Sequence, residues 1–415
     1  MNILWFVNVP MPDYVRAKGR CVAQVGGWME SLLAALRQRH PEVSLSVAFV
    51  DQDDEVLEIN GVRYFAMKRK NLSLASTNVV DSVAPDIIHY HGSDGIALML
   101  PDEVYSRSAN VVSIQGVISG YAPHFMGCVP QNELKRHRNI LRDIAGYRNI
   151  ANEEEYWRTI RSRKESFVLN RAVACLGRTE WDKAWVRYIA PKAKYYHVGE
   201  ILRRPFYSGR RSGIKIRPRS IYCSAALSYP LKGGHWLLHA VANLKNKYPD
   251  VELRVANAAR IQDNHSIARK FGKNEYYRYV EDLILRLGIL GNVVLLPSLS
   301  AEEVRDELER AELFCLPSLI ENSPNSLGEA MLTGVPSIAT NVGGTSSLLK
   351  DGIEGVLVPS SDPAMLANAI STLFDNPNLA SKYADAGYNG AVERYAPDQV
   401  VQDLMVAYDA CMRLV

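Results

Sequence analysis

"SLIENSPNSLGEAMLTGVPSIAT" (residues 318–340) sets two glutamates, Glu321 and Glu329, eight positions apart across a Ser-Pro-Asn-Ser stretch and a glycine. The apolar run before it, "ELFCLPSLI" (312–320), reads as a strand; the chain then turns through Glu321–Asn325 and enters "SLGEAML", a good helix former. A helix that starts here presents the backbone N–H groups of Ser326 and Leu327 at the positive end of its dipole, beside Asn325, which makes a seat for a phosphate. Glu329 falls about one turn in, where a carboxylate accepts a pair of hydrogen bonds from a ribose cis-diol. Glu321 sits before the helix, at the mouth of the crevice. Spacing alone also allows a bland alternative, in which Glu321 is a solvated turn residue and Glu329 a surface helix acid.

Outward from this stretch, short β-branched runs alternate with longer amphipathic segments, the pattern of βα units and parallel sheets. Two series are legible. The first contains "NILWFVNV" (2–9), "VSLSVAFV" (43–50), "DIIHYH" (86–91), "NVVSIQ" (110–115) and "AVACLG" (172–177); the second contains "SIYCSA" (220–225), "VELRVA" (251–256), "NVVLLP" (292–297), "ELFCLP" (312–317), "PSIAT" (336–340) and "GVLVP" (355–359). Between them "RRPFYSGRRSGIKIRPR" (203–219) has glycines, prolines and no apolar period, as a linker does. The pattern predicts an α/β chain of two doubly wound domains, 1–202 and 220–397, followed by an amphipathic helix at 398–415 suited to packing across a neighbouring surface. Ligands of such sheets sit at the carboxyl ends of the strands, so the chemistry belongs in strand-to-helix loops.

Composition agrees with two domains: 415 residues with 47% hydrophobic and 22% charged are more than one core usually holds. A formal net charge of +3 is too small to imply a nucleic-acid partner. The six cysteines are scattered, with no C-x-x-C pair or local zinc spacing, which suits a reducing cytosol. "MNILWFVNVP" lacks a basic n-region and its apolar run is too short for a signal peptide, so a cytoplasmic location is expected. No Walker loop, G-x-G-x-x-G or G-x-S-x-G elbow occurs at a fitting position.

The stretch "SLIENSPNSLGEAMLTGVPSIATNVGG" strongly resembles the E-x7-E donor segment of glycosyltransferase family 4, retaining enzymes of the GT-B fold. "SYPLKGGHWLLHAV" (228–241) is similar to that family's lysine-glycine segment, "LSAEEVRDELERAELFCLPS" (299–318) to the helix and strand before the glutamates, and "QVGGWMESLLAAL" (24–36) to the N-terminal glycine loop. The resemblance implies that Glu321 contacts the donor sugar, Glu329 holds the ribose, Lys232 is the diphosphate cation and the helix at 398–415 crosses back to complete the first domain. Gly26 and Gly27 would let backbone approach the diphosphate, the alternative being a plain turn before the helix starting at Trp28. Ser300 and Glu303 stand in capping-box relation and are structural. A UDP-sugar donor, a saccharide or lipid-linked saccharide acceptor and no metal or other cofactor are implied. The alternatives are a sugar-nucleotide 2-epimerase of the same fold, or an inactive glycan-binding subunit.

The chain departs from the family pattern in places. Ala225 and Ala226 stand where an arginine is common, leaving a second diphosphate cation unassigned. Gln115 stands where many members carry a histidine, and Thr345, Ser346 and Ser347 follow Gly343–Gly344 in place of an acid. His91, Gln115 and His124 are the candidate acceptor or sugar contacts, with His89 nearby. Asp51-x-Asp53 has the spacing of a metal-binding pair from the other major glycosyltransferase fold, but reads as a solvated loop. The basic segments 135–150, 158–167 and 203–219 suit docking to an anionic inner-membrane surface, or a solvated face.

Overall fold

The computed structural model describes all residues except 21–25, 145–148, 225, 259–274 and 415. Contacts divide the chain into two units, one of residues 1–119, 159–203 and 394–415, the other of 120–158 and 204–393. The break at 203/204 lies at the start of the glycine- and proline-rich linker, and the C-terminal helix Pro397–Met412 joins the first unit. Residues 120–158, which the sequence boundaries give to the first domain, group instead with the second. Their reason is local: the Gly127 carbonyl accepts from His235 Nε2 at 2.9 Å, and Glu133 pairs with Arg286 at 3.1 Å.

In the first unit eight strands form one sheet in the order β3-β4-β2-β1-β5-β6-β7-β8. These are β1 (Asn2–Phe6), β2 (Ser44–Asp51), β3 (Glu55–Ile59), β4 (Val62–Lys68), β5 (Ile87–His91), β6 (Ala109–Ser113), β7 (Ala174–Gly177) and β8 (Lys194–His197). All pairs are parallel except β3–β4. That hairpin was not read from the sequence, although Asn60-Gly61 is a strong two-residue turn signal, and both residues have positive φ, 49° and 72°. β8, "KYYH", was also missed, being short and without a clear alternation. Helices cover both faces, so β1 and β5 are buried throughout after Asn2, and Leu4, Phe6, Ile88, Tyr90 and Val112 share one core.

The second unit carries a six-stranded, wholly parallel sheet: β9 (Ser220–Ser224), β10 (Glu252–Ala256), β11 (Val293–Leu295), β12 (Leu313–Leu316), β13 (Ser337–Thr340) and β14 (Val356–Val358). Their order, β11-β10-β9-β12-β13-β14, reverses direction between β9 and β12. Such a switch point leaves a crevice beyond the carboxyl ends of its two strands, because their following connections depart to opposite sides. Every strand read in this half is present. The expected capping box is there too: Glu303 N–H donates to Ser300 Oγ at 3.1 Å and Ser300 N–H to Glu303 Oε2 at 2.7 Å, opening the helix Ala301–Arg310.

Candidate donor site

The two strands at the switch point lead directly into the two motifs singled out above. After β9 the chain makes a single turn at Pro230–Lys232 and enters the helix Gly234–Leu244; after β12 it passes Ser318–Pro324 into the helix Asn325–Thr333. The connections come together because of glycine. Gly233 has φ +69°, and a Cβ on it would lie 1.9 Å from the Pro317 carbonyl oxygen; a Cβ on Gly234 would lie 2.5 Å from the Ala226 oxygen. Leu319 N–H donates to the Leu231 carbonyl at 2.8 Å across the same seam. Backbone packs on backbone here, and any side chain would force the loops apart.

The close approach brings Lys232 Nζ to 2.7 Å from Glu321 Oε1, which also accepts from Ser318 Oγ at 2.8 Å. Glu321 is 5% exposed and Glu329 3% exposed. The bland reading of both acids therefore fails, since carboxylates are almost never so buried without a task or a partner. The Lys232 side chain keeps 31% of its surface, enough to reach an incoming anion. The turn after Glu321 is fastened at several points. Gly344 N–H donates to the Glu321 carbonyl at 3.0 Å, Asn322 N–H to the Tyr121 hydroxyl at 2.8 Å, and a Cβ on Gly343 would meet the Glu321 oxygen at 2.0 Å.

At the helix start one expectation needs correction. Leu327 N–H donates to the Pro324 carbonyl at 3.1 Å, closing a tight first turn, so Leu327 is not one of the free amides expected at this helix start. Asn325 Oδ1 is buried without a hydrogen-bond partner. Of the alanines in place of the expected arginine, Ala226 is buried at 2% and Ala225 lies outside the described residues.

The remaining candidates fall elsewhere. In the first unit Gly26 caps the helix Gly27–Arg39 with φ +88°, and a Cβ there would lie 2.8 Å from Val9; Gly27 opens the helix. Residues 24 and 25 of the glycine loop lie outside the described residues. His91 ends β5 and is 3% exposed; neither ring nitrogen has a hydrogen-bond partner, and burial, with His89 and Arg178 adding to it, holds its pKa well below the ordinary histidine value. Gln115, just past β6, lies with Oε1 3.4 Å from Arg178, whose guanidinium pairs with buried Glu200 at 2.9 Å. Arg178 and Glu200 were not read from the sequence; only their position just after strands signals them. His124 is exposed and belongs to the second unit, whereas His91 and Gln115 belong to the first. His89 is structural, with Nδ1 2.6 Å from Tyr408 and Nε2 2.7 Å from Ser113.

Asp51 is not a solvated loop residue. It ends β2 with its side chain 9% exposed and a two-point ion pair to Arg20, 3.0 and 2.5 Å, while Asp53 is open to solvent. Among the described residues one other group, Glu133, His137 and Asp282, gathers ligand atoms within 4.8 Å, with Arg286 at 3.1 Å from Glu133 and 2.8 Å from Asp282 supplying the positive charge.

Residues 210–390, which hold the whole Lys232–Glu321–Glu329 constellation, match the family described as Glycosyl transferases group 1. The match lies within the second unit and leaves its residues 120–158 outside. The chain is 32% identical over 196 residues to an MMP alpha-(1->4)-mannosyltransferase of Mycolicibacterium hassiacum, covering 47% of this chain and 44% of that protein. It is 36% identical over 146 residues to a D-inositol 3-phosphate glycosyltransferase of Corynebacterium kroppenstedtii, covering 35% and 31%. The aligned stretch is thus less than half of either relative. The group 1 domain sits within a GT-B fold. Sucrose-phosphate synthase from Thermosynechococcus elongatus superposes with a TM-score of 0.68 at 16% identity, over 100% of this chain and 99% of that one. Anabaena Alr3699/HepE in complex with UDP-glucose gives 0.67 at 17% identity, over 98% and 99%.

Proposed function

We propose that the protein is a retaining glycosyltransferase of family 4 that moves a sugar from a UDP-sugar to a hydroxyl of a saccharide or lipid-linked saccharide. The observation that carries this reading is the pair of half-exposed Lys232 and buried Glu321 at the switch point, 2.7 Å apart, ahead of the helix Asn325–Thr333. In the reaction the bond from the anomeric carbon to the diphosphate oxygen breaks, its electron pair leaves with the nucleotide, and the acceptor oxygen bonds that carbon. Negative charge grows on the departing phosphate. Lys232 and the amides of Asn325 and Ser326 lie where that charge develops, so they favour the transition state over the ground state. Glu321, turned toward the sugar, stabilises positive charge on the ring. With its Oε1 already engaged by Lys232 and Ser318, it is poorly placed to take the acceptor proton, which passes to the departing phosphate oxygen. Glu329 holds the ribose. No metal is required, because the lysine and the helix terminus do its electrostatic work. His91 and Gln115, with Arg178, contact the acceptor.

Relatives with inositol-phosphate and mannosyl names, and UDP-bound fold neighbours, support a sugar-nucleotide donor. A panel of nucleotide sugars, with and without simple saccharide acceptors, tests the reading. Acceptor-dependent nucleotide release supports it. Isomerisation of the donor without acceptor would mean an epimerase, and binding without turnover a glycan-binding subunit.

A further inference from the structure

The chain between β6 and β7 leaves the first unit after Ser119, and its next residues belong to the donor unit. Its first turns touch the chain beside each member of the Lys232–Glu321 pair, at Asn322 and at Pro230. At one end the Tyr121 hydroxyl accepts from Asn322 N–H at 2.8 Å. That N–H and the Glu321 carbonyl belong to the same peptide group, and the carbonyl is held by Gly344 N–H at 3.0 Å. The plane that follows Glu321 is therefore fastened from both edges, which sets the direction in which the Glu321 side chain leaves the backbone.

Six residues on, Gly127 has φ +63° and lies so close to Pro230 that a Cβ would stand 2.3 Å from its carbonyl oxygen. Pro230 opens the turn that ends at Lys232. From the other side the Gly127 carbonyl accepts from His235 Nε2 at 2.9 Å and Trp236 Nε1 at 3.2 Å, both in the first turn of the helix that follows Lys232. Between the two ends, Phe125 is buried at 1% against Trp157, ring centroids 5.0 Å apart.

We propose that Tyr121–Gly127 is a brace of the donor site, with Tyr121 a positioning residue for Glu321 and Gly127 the close contact that positions Lys232; this rests on the donor-site reading above. The two ends serve different parts of the donor, so their loss reads out differently. Without the Tyr121 hydroxyl the peptide after Glu321 loses one of its two restraints, and the carboxylate drifts from the sugar while the diphosphate seat stays intact. A side chain on Gly127 pushes the Pro230–Lys232 turn, and with it the diphosphate cation.

The test measures UDP affinity by calorimetry, donor kcat and KM, and thermal stability for wild type, Tyr121→Phe and Gly127→Ala. Tyr121→Phe is expected to bind UDP within about twofold of wild type while kcat falls about tenfold or more, with KM moving less. Gly127→Ala is expected to weaken UDP at least about fivefold. Should Gly127→Ala fail to fold, Trp236→Phe removes one donor to the Gly127 carbonyl without adding volume and weakens UDP about threefold. Full turnover in Tyr121→Phe, or parallel loss of UDP affinity and turnover in both variants in step with falling stability, overturns the brace. Failure of the donor reading is separate: wild type that binds no UDP, or Glu329→Ala that binds it unchanged, sinks that reading whatever the brace variants do.

Discussion

Glu329→Ala removes a buried carboxylate, 3% exposed, that the donor reading pairs with a ribose diol. Charge-assisted hydrogen bonds are lost, so UDP affinity is expected to fall by about 1–3 kcal/mol. Glu321→Ala is expected to leave UDP affinity intact and to lower turnover, because the donor reading directs its carboxylate to the sugar; calorimetry and a steady-state assay read the two effects apart. Equal loss in both would place Glu321 outside the sugar pocket. Gly233→Ala adds a Cβ 1.9 Å from the Pro317 oxygen at φ +69°, and strain of about 1–3 kcal/mol should show as a lower melting temperature. At this scale the positions of Glu321 before a helix and Glu329 inside it were legible from their spacing, while Lys232 was singled out by the resemblance alone. Leu327 was misjudged, since whether an N–H at a helix start stays free depends on the tightness of its first turn. Arg178 and Glu200 were illegible, because they meet through strands 20 or more positions apart in sequence.

The C-terminal helix Pro397–Met412 closes the first unit through Tyr408, whose hydroxyl accepts from Trp5 Nε1 at 3.1 Å and lies 2.6 Å from His89 Nδ1. Tyr408→Phe leaves both groups buried and short of a partner, which should cost about 1–3 kcal/mol in thermal unfolding. Burial also pushes the pKa of His89 from 6.5 down to about 3. The unfolded chain then takes up a proton below pH 6.5 that the folded one refuses until about pH 3. Stability from neutral His89 is thus complete above pH 6.5 and lost progressively on acidification, on the order of 2 kcal/mol by pH 5. Melting curves at pH 7 and pH 5 measure the loss, and replacing His89 by glutamine should flatten it. The helix was visible in its apolar stripe, and its assignment to the first domain came with the GT-B resemblance. The β3–β4 hairpin shows the reverse case: its turn signal was present but lay inside a stretch read for βα alternation.

For the whole protein, transfer is expected to survive excess EDTA, since the positive charge at the phosphate comes from Lys232 and helix amides. Complete loss of activity restored by manganese would point to a metal, with Glu133–His137–Asp282 the cluster to replace first. Lys135, Arg136, Arg138, Ile140 and Ile144 form an exposed basic and apolar stretch, although Arg138 is paired with Asp143 at 2.5 Å. Of the same reading, the Leu141 and Arg142 side chains and Tyr147 lie outside the described residues. Each free cation near an anionic leaflet contributes about 1 kcal/mol, so binding to anionic liposomes should appear at low salt and vanish at high salt. No sedimentation at low salt would leave these charges a solvated face. No described helix is long and apolar enough to cross a membrane. The sequence by itself determined the two α/β halves, the linker between them and the helix start after Glu321, because hydrophobic period, turn chemistry and helix starts are local properties of neighbouring residues. Only the tertiary structure decided that residues 120–158 belong with the second unit, that Glu321 and Glu329 are buried, and that Lys232 meets Glu321. Those facts depend on which backbones approach closely, and that is set by glycines packing against carbonyls of distant strands rather than by any period along the chain.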